Sequence, residues 1–314
     1  MDSQNGTEEI YFILLGLSQY PWAQTIFFCL LLVSYVITLF GNSLILLLIY
    51  YDPRLHMPMY FFLSNLSFLD MCYTTSSVPQ MLINCLVTIP VISLRQCVAQ
   101  MATGLYLGVV ECLLLAAMAY DRCVAIVDPL RYSVHMRPQL CVLLAGISWT
   151  TAFLLTVVPV LTMTLEFCGH HVINHFSCEL LALLKLACSD LRFYELLMLG
   201  TSALSLLAPF AFIVGSYGRI LVAVLRMRSM EGQGKAFSTC ASHLTVVVLF
   251  YGTAISMYMM PQDKTIHERD KIISISYGVL TPMMNPLIYS LRNKEVKGAF
   301  RRLMGKKIDL KVRC

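Results

Sequence analysis

An all-α membrane protein, seven transmembrane helices followed by a short amphipathic helix, is the fold class this sequence predicts. Three observations lead there. The 314 residues are 58% hydrophobic and 13% charged, with a mean hydropathy of +0.71, whereas soluble domains carry about a quarter charged residues. The apolar excess is gathered into seven blocks, each long enough to cross roughly 30 Å of hydrocarbon as a helix. The cations are also distributed unevenly between the segments that join the blocks.

The blocks lie near 25–50, 58–83, 97–120, 140–164, 196–224, 238–260 and 272–291. With the N-terminus outside, the inner segments hold 17 of the 23 Lys and Arg residues, and the positive-inside rule selects that orientation. The chain divides into an extracellular tail 1–24, a bundle 25–291 and a cytoplasmic tail 292–314. The net charge of +5 reflects the cytoplasmic bias and does not argue for nucleic acid. Residues 1–24 contain no cation, and no cleavable signal pattern is present, so the first helix is expected to act as its own insertion signal. Asn5-Gly6-Thr7 is a glycosylation acceptor on that outer tail. Asn65-Leu66-Ser67 fits the same pattern inside the second span and is rejected.

Ionisable residues inside the spans are costly and mark functional positions. Asp70 lies half-way along the second span and must face the bundle interior, with Asn42 as a hydrogen-bonding companion. Glu111, eleven residues before Arg122, is a second buried acid. Two carboxylates in one dry cavity need a sodium ion or a shared proton. Asp121-Arg122 follows the third span, an acid beside an arginine at the membrane edge, where a local ion pair would hold or release the arginine. In the seventh span Pro286 removes a helical hydrogen bond and leaves Asn285 free to bond across the bundle. Past Arg292, cations alternate with Val296, Ala299, Phe300 and Leu303, which suits an amphipathic helix on the inner leaflet.

The outer side holds four cysteines, Cys97, Cys168, Cys178 and Cys188. They allow three connectivities, and spacing does not choose among them. A metal site through His175 and Cys178 is set aside, because a disulfide would consume the thiol. No phosphate loop, HExxH or CxxC pair is present, and an enzyme is not indicated. The seventh span has no internal lysine for a retinal. A transporter or channel using Asp70 and Glu111 as an ion path is the alternative from another class, and the odd number of spans without self-similarity counts against it.

Several motifs carry a family resemblance over nearly the whole chain. They are Pro58 to Ser67 (PMYFFLSNLS), Met118-Ala-Tyr-Asp-Arg122, Ser216-Tyr217, Lys235 to His243 (KAFSTCASH) and Pro282 to Asn293. Gly41-Asn42, Asp70, Trp149 and Asn285-Pro286-Leu-Ile-Tyr289 add more general marks. The chain resembles the rhodopsin-like G-protein-coupled receptors and, within them, the odorant receptors of the tetrapod-type branch. The resemblance implies a plasma-membrane receptor for small-molecule odorants, coupled to a Gs-type olfactory G protein that raises cAMP. It implies the pairings Cys97–Cys178 and Cys168–Cys188, and an activation switch of Asp121, Arg122, Tyr217, Asn285, Pro286 and Tyr289. In that switch Asp121 holds Arg122 at rest. Cys123 stands where the family usually has Tyr, and Val127-Asp128 where it has Cys-Asn, so coupling efficiency is the property these departures touch.

Helical spacing back from Arg122 places Gly104, Leu105, Gly108 and Cys112 on one face of the outer half of the third helix. Thr201 and Ser205 on the fifth helix, and Tyr251, Ile255 and Tyr258 on the sixth, add apolar surface and a few hydroxyls. Gly104 stands where amine receptors have an aspartate. The expected ligand is therefore small, neutral and mostly apolar, held by one or two hydrogen bonds.

Overall fold

The computed structural model describes residues 10–16, 21–169, 171–189, 192–227, 229–258 and 268–312. Asn5 lies outside them, as does the side chain of Tyr258.

Strand β1 (Tyr11–Leu14) precedes helices α1 (Pro21–Tyr51) and α2 (Pro58–Asn84). Strand β2 (Val91–Ser93) leads into α3 (Leu94–Val127), and α4 (Pro138–Leu161) follows. Strand β3 (Val172–Ile173) lies in the long outer loop before α5 (Arg192–Leu225) and α6 (Met230–Tyr258). Helix α7 runs through Glu268–Ile275, Ser276–Leu280 and Thr281–Arg292, and α8 (Lys294–Val312) completes the chain. The surface is apolar where a soluble bundle would be polar: Trp22, Leu30, Val33, Phe40 and Leu47 of α1 all point outward.

Six of these helices are long and apolar enough to span a membrane by composition alone. The seventh, α2, falls short because it carries Ser, Thr, Asn and Asp. Most of those groups are satisfied within the helix. Ser64 and Asn65 donate to the Phe61 carbonyl, Thr74 to Asp70 O and Ser76 to Tyr73 O. The polar cost of placing α2 among apolar neighbours is thereby reduced. Asn65 also accepts from Trp149 Nε1 at 3.2 Å, which occupies the rejected glycosylation position in the bundle interior.

Proline shapes the outer half. Helices α4, α5 and α7 each widen by one residue per turn over Phe153–Val157, Ala203–Leu207 and Ser276–Leu280. Each wide turn ends two residues before a proline: Pro159, Pro209 and Pro282. A proline cannot donate to the carbonyl four residues back. Here those carbonyls belong to Leu155, Ser205 and Gly278, inside the wide turns, and such turns recur at functional sites.

Three boundaries differ from the sequence reading. Helix α3 continues two turns past residue 120, so Asp121 and Arg122 sit on a helix and not beyond its end. Helix α6 starts at Met230, so the second half of the basic linker 226–235 is helical. The tail 1–24 contributes structure: β1 is the centre of a three-stranded sheet, antiparallel to β2 and parallel to β3. Phe12 and Leu14 are buried with Ile92 and Ile173 beneath this cap.

Candidate ligand cavity and inner switch

The lid is fastened to α3 by the Cys97–Cys178 disulfide, and a second bridge, Cys168–Cys188, closes the outer loop on itself. The Cys178 N–H also donates to Gln100 Oε1 at 2.9 Å. Under the lid, an upper chamber is lined by Tyr73, Gln100, Gly104, Glu179, Ser274 and Tyr277, among others. A lower chamber shares Gly104, Leu105 and Tyr277 with it and adds Gly108, Val109, Cys112, Ser205, Phe250 and Ala254. A third space between α4 and α5 includes Leu105, Thr201 and Ser205.

The expected face of α3 is therefore brought together: Gly104, Leu105, Gly108 and Cys112 all line cavity. A Cβ added at Gly108 would meet nothing within 4 Å, and one at Gly104 only Tyr73 Oη at 3.9 Å. Thr201 lines the third space with its hydroxyl already bonded to Leu197 O and Met198 O.

On α6 the expected phase is off. Phe250 and Ala254 line the lower chamber, while Tyr251 and Ile255 line none of these three spaces. One residue is a rotation of about 100° on a helix. Tyr251 turns into the core, 1% exposed, and donates to Cys112 O at 3.1 Å. Glu179, Ser274 and Tyr277 line the upper chamber without having been expected there. Glu179 had a signal, since it follows a cysteine expected to be bridged to α3.

Beneath the cavity, Asn285 Nδ2 donates to both oxygens of Asp70, at 3.2 and 3.0 Å. Asn42, the companion expected for Asp70, instead donates to Thr38 O and Pro282 O. The Pro282 carbonyl lies four residues before Pro286, which has no N–H to offer it. Pro286 in turn packs on Gly41, where a Cβ would come within 3.0 Å of the ring. Glu111 is close enough to Asp70 for its charge to act there. Three buried oxygens, Asn42 Oδ1, Glu111 Oε1 and Asn285 Oδ1, have no partner among the described residues.

At the inner end, the resting clasp differs from expectation. No nitrogen of Arg122 lies within 4.0 Å of Asp121, whereas Tyr132 Oη donates to Asp121 Oδ1 at 2.7 Å. Adjacent helical residues point about 100° apart. Asp121 turns into the bundle, 1% exposed, while Arg122 is only half-buried. Tyr217 is held by His243 at 2.8 Å, with the rings stacked at 15°. His243 Nε2 lies 3.1 Å from Leu115 O. A carbonyl can only accept, so Nε2 carries the proton and Nδ1 accepts from Tyr217. One imidazole thus ties α6 to α3 and α5. Tyr289 Oη is buried without a partner among the described residues.

A seven-helix bundle with an outer cavity under a disulfide-tied lid, and a polar clamp at its inner end, defines a receptor of the G-protein-coupled class. A family model described as olfactory receptor matches residues 28–307. Human olfactory receptor 13H1 is 54% identical over 307 residues, covering 98% of this chain and 100% of that protein. Human olfactory receptor 13D1 is 50% identical over 311 residues (99% and 90%), and mouse olfactory receptor 2B6 is 50% identical over 294 (93% and 94%). The chain belongs to the olfactory receptor family: it is an odorant-sensing, multi-pass membrane receptor and not an enzyme.

Proposed function

We propose that this receptor binds small, neutral, mostly apolar volatile molecules in the connected chambers under the lid, and activates a Gs-type olfactory G protein to raise cAMP. The observation that carries the ligand reading is the glycine face of α3. Gly104 and Gly108 leave open space against Val109, Phe250 and Ala254, with hydroxyls from Ser205 and Tyr277 at its edge. Such a lining favours an apolar body with one or two polar anchors. The working orientation is N-terminus outside at the plasma membrane, with a glycan on Asn5 and α8 against inner-leaflet lipid. A sodium ion or a shared proton neutralises Asp70 and Glu111, a role supported by the three unpartnered acceptor oxygens around them.

Signalling follows from the clamp. A ligand that binds one state better shifts the population toward it, and release of His243 frees α6 to move away from α3. Arg122 and Tyr217 then face the G protein, with Tyr289 beside them. The test is an odorant screen read as cAMP in transfected cells. Arg122→Ala should reach the surface and give little cAMP with any agonist, and full signalling from that variant would end this account of the switch.

A further inference from the structure

The lid supplies a carboxylate that the helices lining the cavity do not. Glu179 follows Cys178, so the bridge to Cys97 fixes its backbone at the outer end of α3. Its side chain is mostly buried and lines the upper chamber beside Gly104. Ser274 Oγ donates to Oε1, and Tyr277 Oη donates to the same oxygen at 3.3 Å. His175 Nε2 stands 3.8 Å from it as well. Oε2 takes no hydrogen bond from the described residues, and among them no Lys or Arg nitrogen lies within 4.0 Å of the group. An ionised carboxylate has about four acceptor positions, so about half of its capacity is unused among the described residues, in a side chain that lines the chamber.

We propose that Glu179 is the polar anchor of the binding site. The receptor then selects molecules with an apolar body and an O–H or N–H donor at one end: alcohols and primary amines. The donor bonds Oε2, and the body extends past Tyr277 into the lower chamber beside Gly108. Gly104, which removes the acid from α3, thus leaves the cavity with an acid brought from the lid. This inference rests on the odorant-binding reading above: it narrows the neutral ligands to alcohols and extends the class to alkylammonium ions, which are charged at neutral pH. An aldehyde, ketone or ether of the same skeleton brings only lone pairs to Oε2 and leaves that oxygen without a donor. A carboxylate ligand adds like-charge repulsion. A site built around a hydrogen bond rejects the analogue that lacks it.

The experiment is a cAMP dose–response panel on the full-length receptor, normalised to surface expression. The probes are straight-chain C6–C10 alkanols and alkylamines, with the aldehydes, methyl ethers and carboxylates of matching length. The wild type should answer the alkanols and amines at the lowest concentrations. Glu179→Gln should raise the half-maximal concentration of those donors about tenfold to a hundredfold, the range for one hydrogen bond to a charged group, and move aldehydes little. The paired change Ser274→Ala with Tyr277→Phe removes two cavity-lining hydroxyls that bond Glu179 but keeps the carboxylate, and should weaken all probes while leaving donors ahead of the matching aldehydes. If both variants shift every ligand by the same factor, Glu179 only fastens the lid and the proposal fails. It fails also if the wild type prefers aldehydes or carboxylates, a result that needs no variant and leaves odorant sensing intact. Silence toward every probe overturns the anchor and the ligand class together.

Discussion

The two ends of α3 are held by different chemistry. The outer end is joined to the lid by a covalent bond between Cys97 and Cys178. The inner end is held by hydrogen bonds: Tyr132 on Asp121, and His243 on Leu115 O with Tyr217 behind it. A disulfide persists through any conformational change. A hydrogen bond, at about 0.5–1.5 kcal/mol net, is weak enough to be exchanged when a ligand shifts a two-state equilibrium. The bundle is therefore crosslinked beside the candidate cavity and held by exchangeable hydrogen bonds at the opposite end of α3.

The largest effect should come from breaking the rigid end. The bridge spans 81 residues, and removing a native disulfide typically costs about 2–5 kcal/mol. Cys97→Ser should abolish surface expression, while Cys29→Ser, an exposed thiol on the outer face of α1, should leave it near the wild-type level. Flow cytometry on an N-terminal tag makes the comparison. Equal, normal expression of both variants would remove the distinction between the two ends.

Loosening the switchable end should change signalling and not expression. His243→Ala deletes two hydrogen bonds that hold α6 closed, together about 1–3 kcal/mol. Basal cAMP per receptor should rise about fivefold or more. Tyr217→Phe, which keeps the bond to Leu115, should rise less. Unchanged basal output in both would mean that something other than this imidazole holds α6.

Much of this division was legible in the residues. The seven spans follow from hydropathy, and α3's cavity face follows from counting back from Arg122. What escaped the sequence depended on rotation and on long-range partners. Periodicity gives a helix a face but not its absolute phase, so α6 was read through Tyr251 when Phe250 lines the chamber. Asp70 had to find an interior partner, yet burial alone could not choose Asn285 over Asn42. The segment around Phe12 is too short to read as a strand by itself; its partners lie some 80 and 160 residues away in sequence. Glu179 looked like a loop acid until the lid carried it over the cavity.

A smaller effect belongs to cavity shape. A Cβ at Gly108 meets nothing within 4 Å, so the larger side chain of Gly108→Leu should extend into room an odorant would use. Filling a site is selective by size: the half-maximal concentration should rise about fourfold to fifteenfold for C9–C10 agonists, one to two methylene equivalents of lost burial, and little for C6. A dose–response series by chain length reads this directly. A uniform shift across the series would place Gly108 in helix packing and not at the ligand.

The smallest effect concerns the junction of α8 with the α1–α2 loop, where a charge pair takes the place of both disulfide and clamp. Asp52 Oδ2 accepts from Arg302 Nε at 2.8 Å, with Nη2 at 2.7 Å, and so ties α8 to the first inner loop. Its other oxygen accepts from the Arg54 N–H. Partial burial raises the Asp52 pKa, but the hydrogen bonds and the two arginines outweigh it and hold the carboxyl below its ordinary value. For a carboxylate depressed in the folded state, the stabilisation is complete above the unfolded pKa and fades only as pH falls through the folded one. It is thus constant from about pH 5 to 8. Arg302 is about one-third exposed, so solvent screening limits the pair to about 0.2–1 kcal/mol. Arg302→Ala should lower the melting temperature of the receptor in nanodiscs by about 4 °C at most, by the same amount at pH 5.5, 6.5 and 7.5 (about 2–4 °C per kcal/mol for chains larger than a small domain). A shift that grows toward neutral pH would mean that a group titrating near pH 6–7, and not Asp52, is the partner of Arg302.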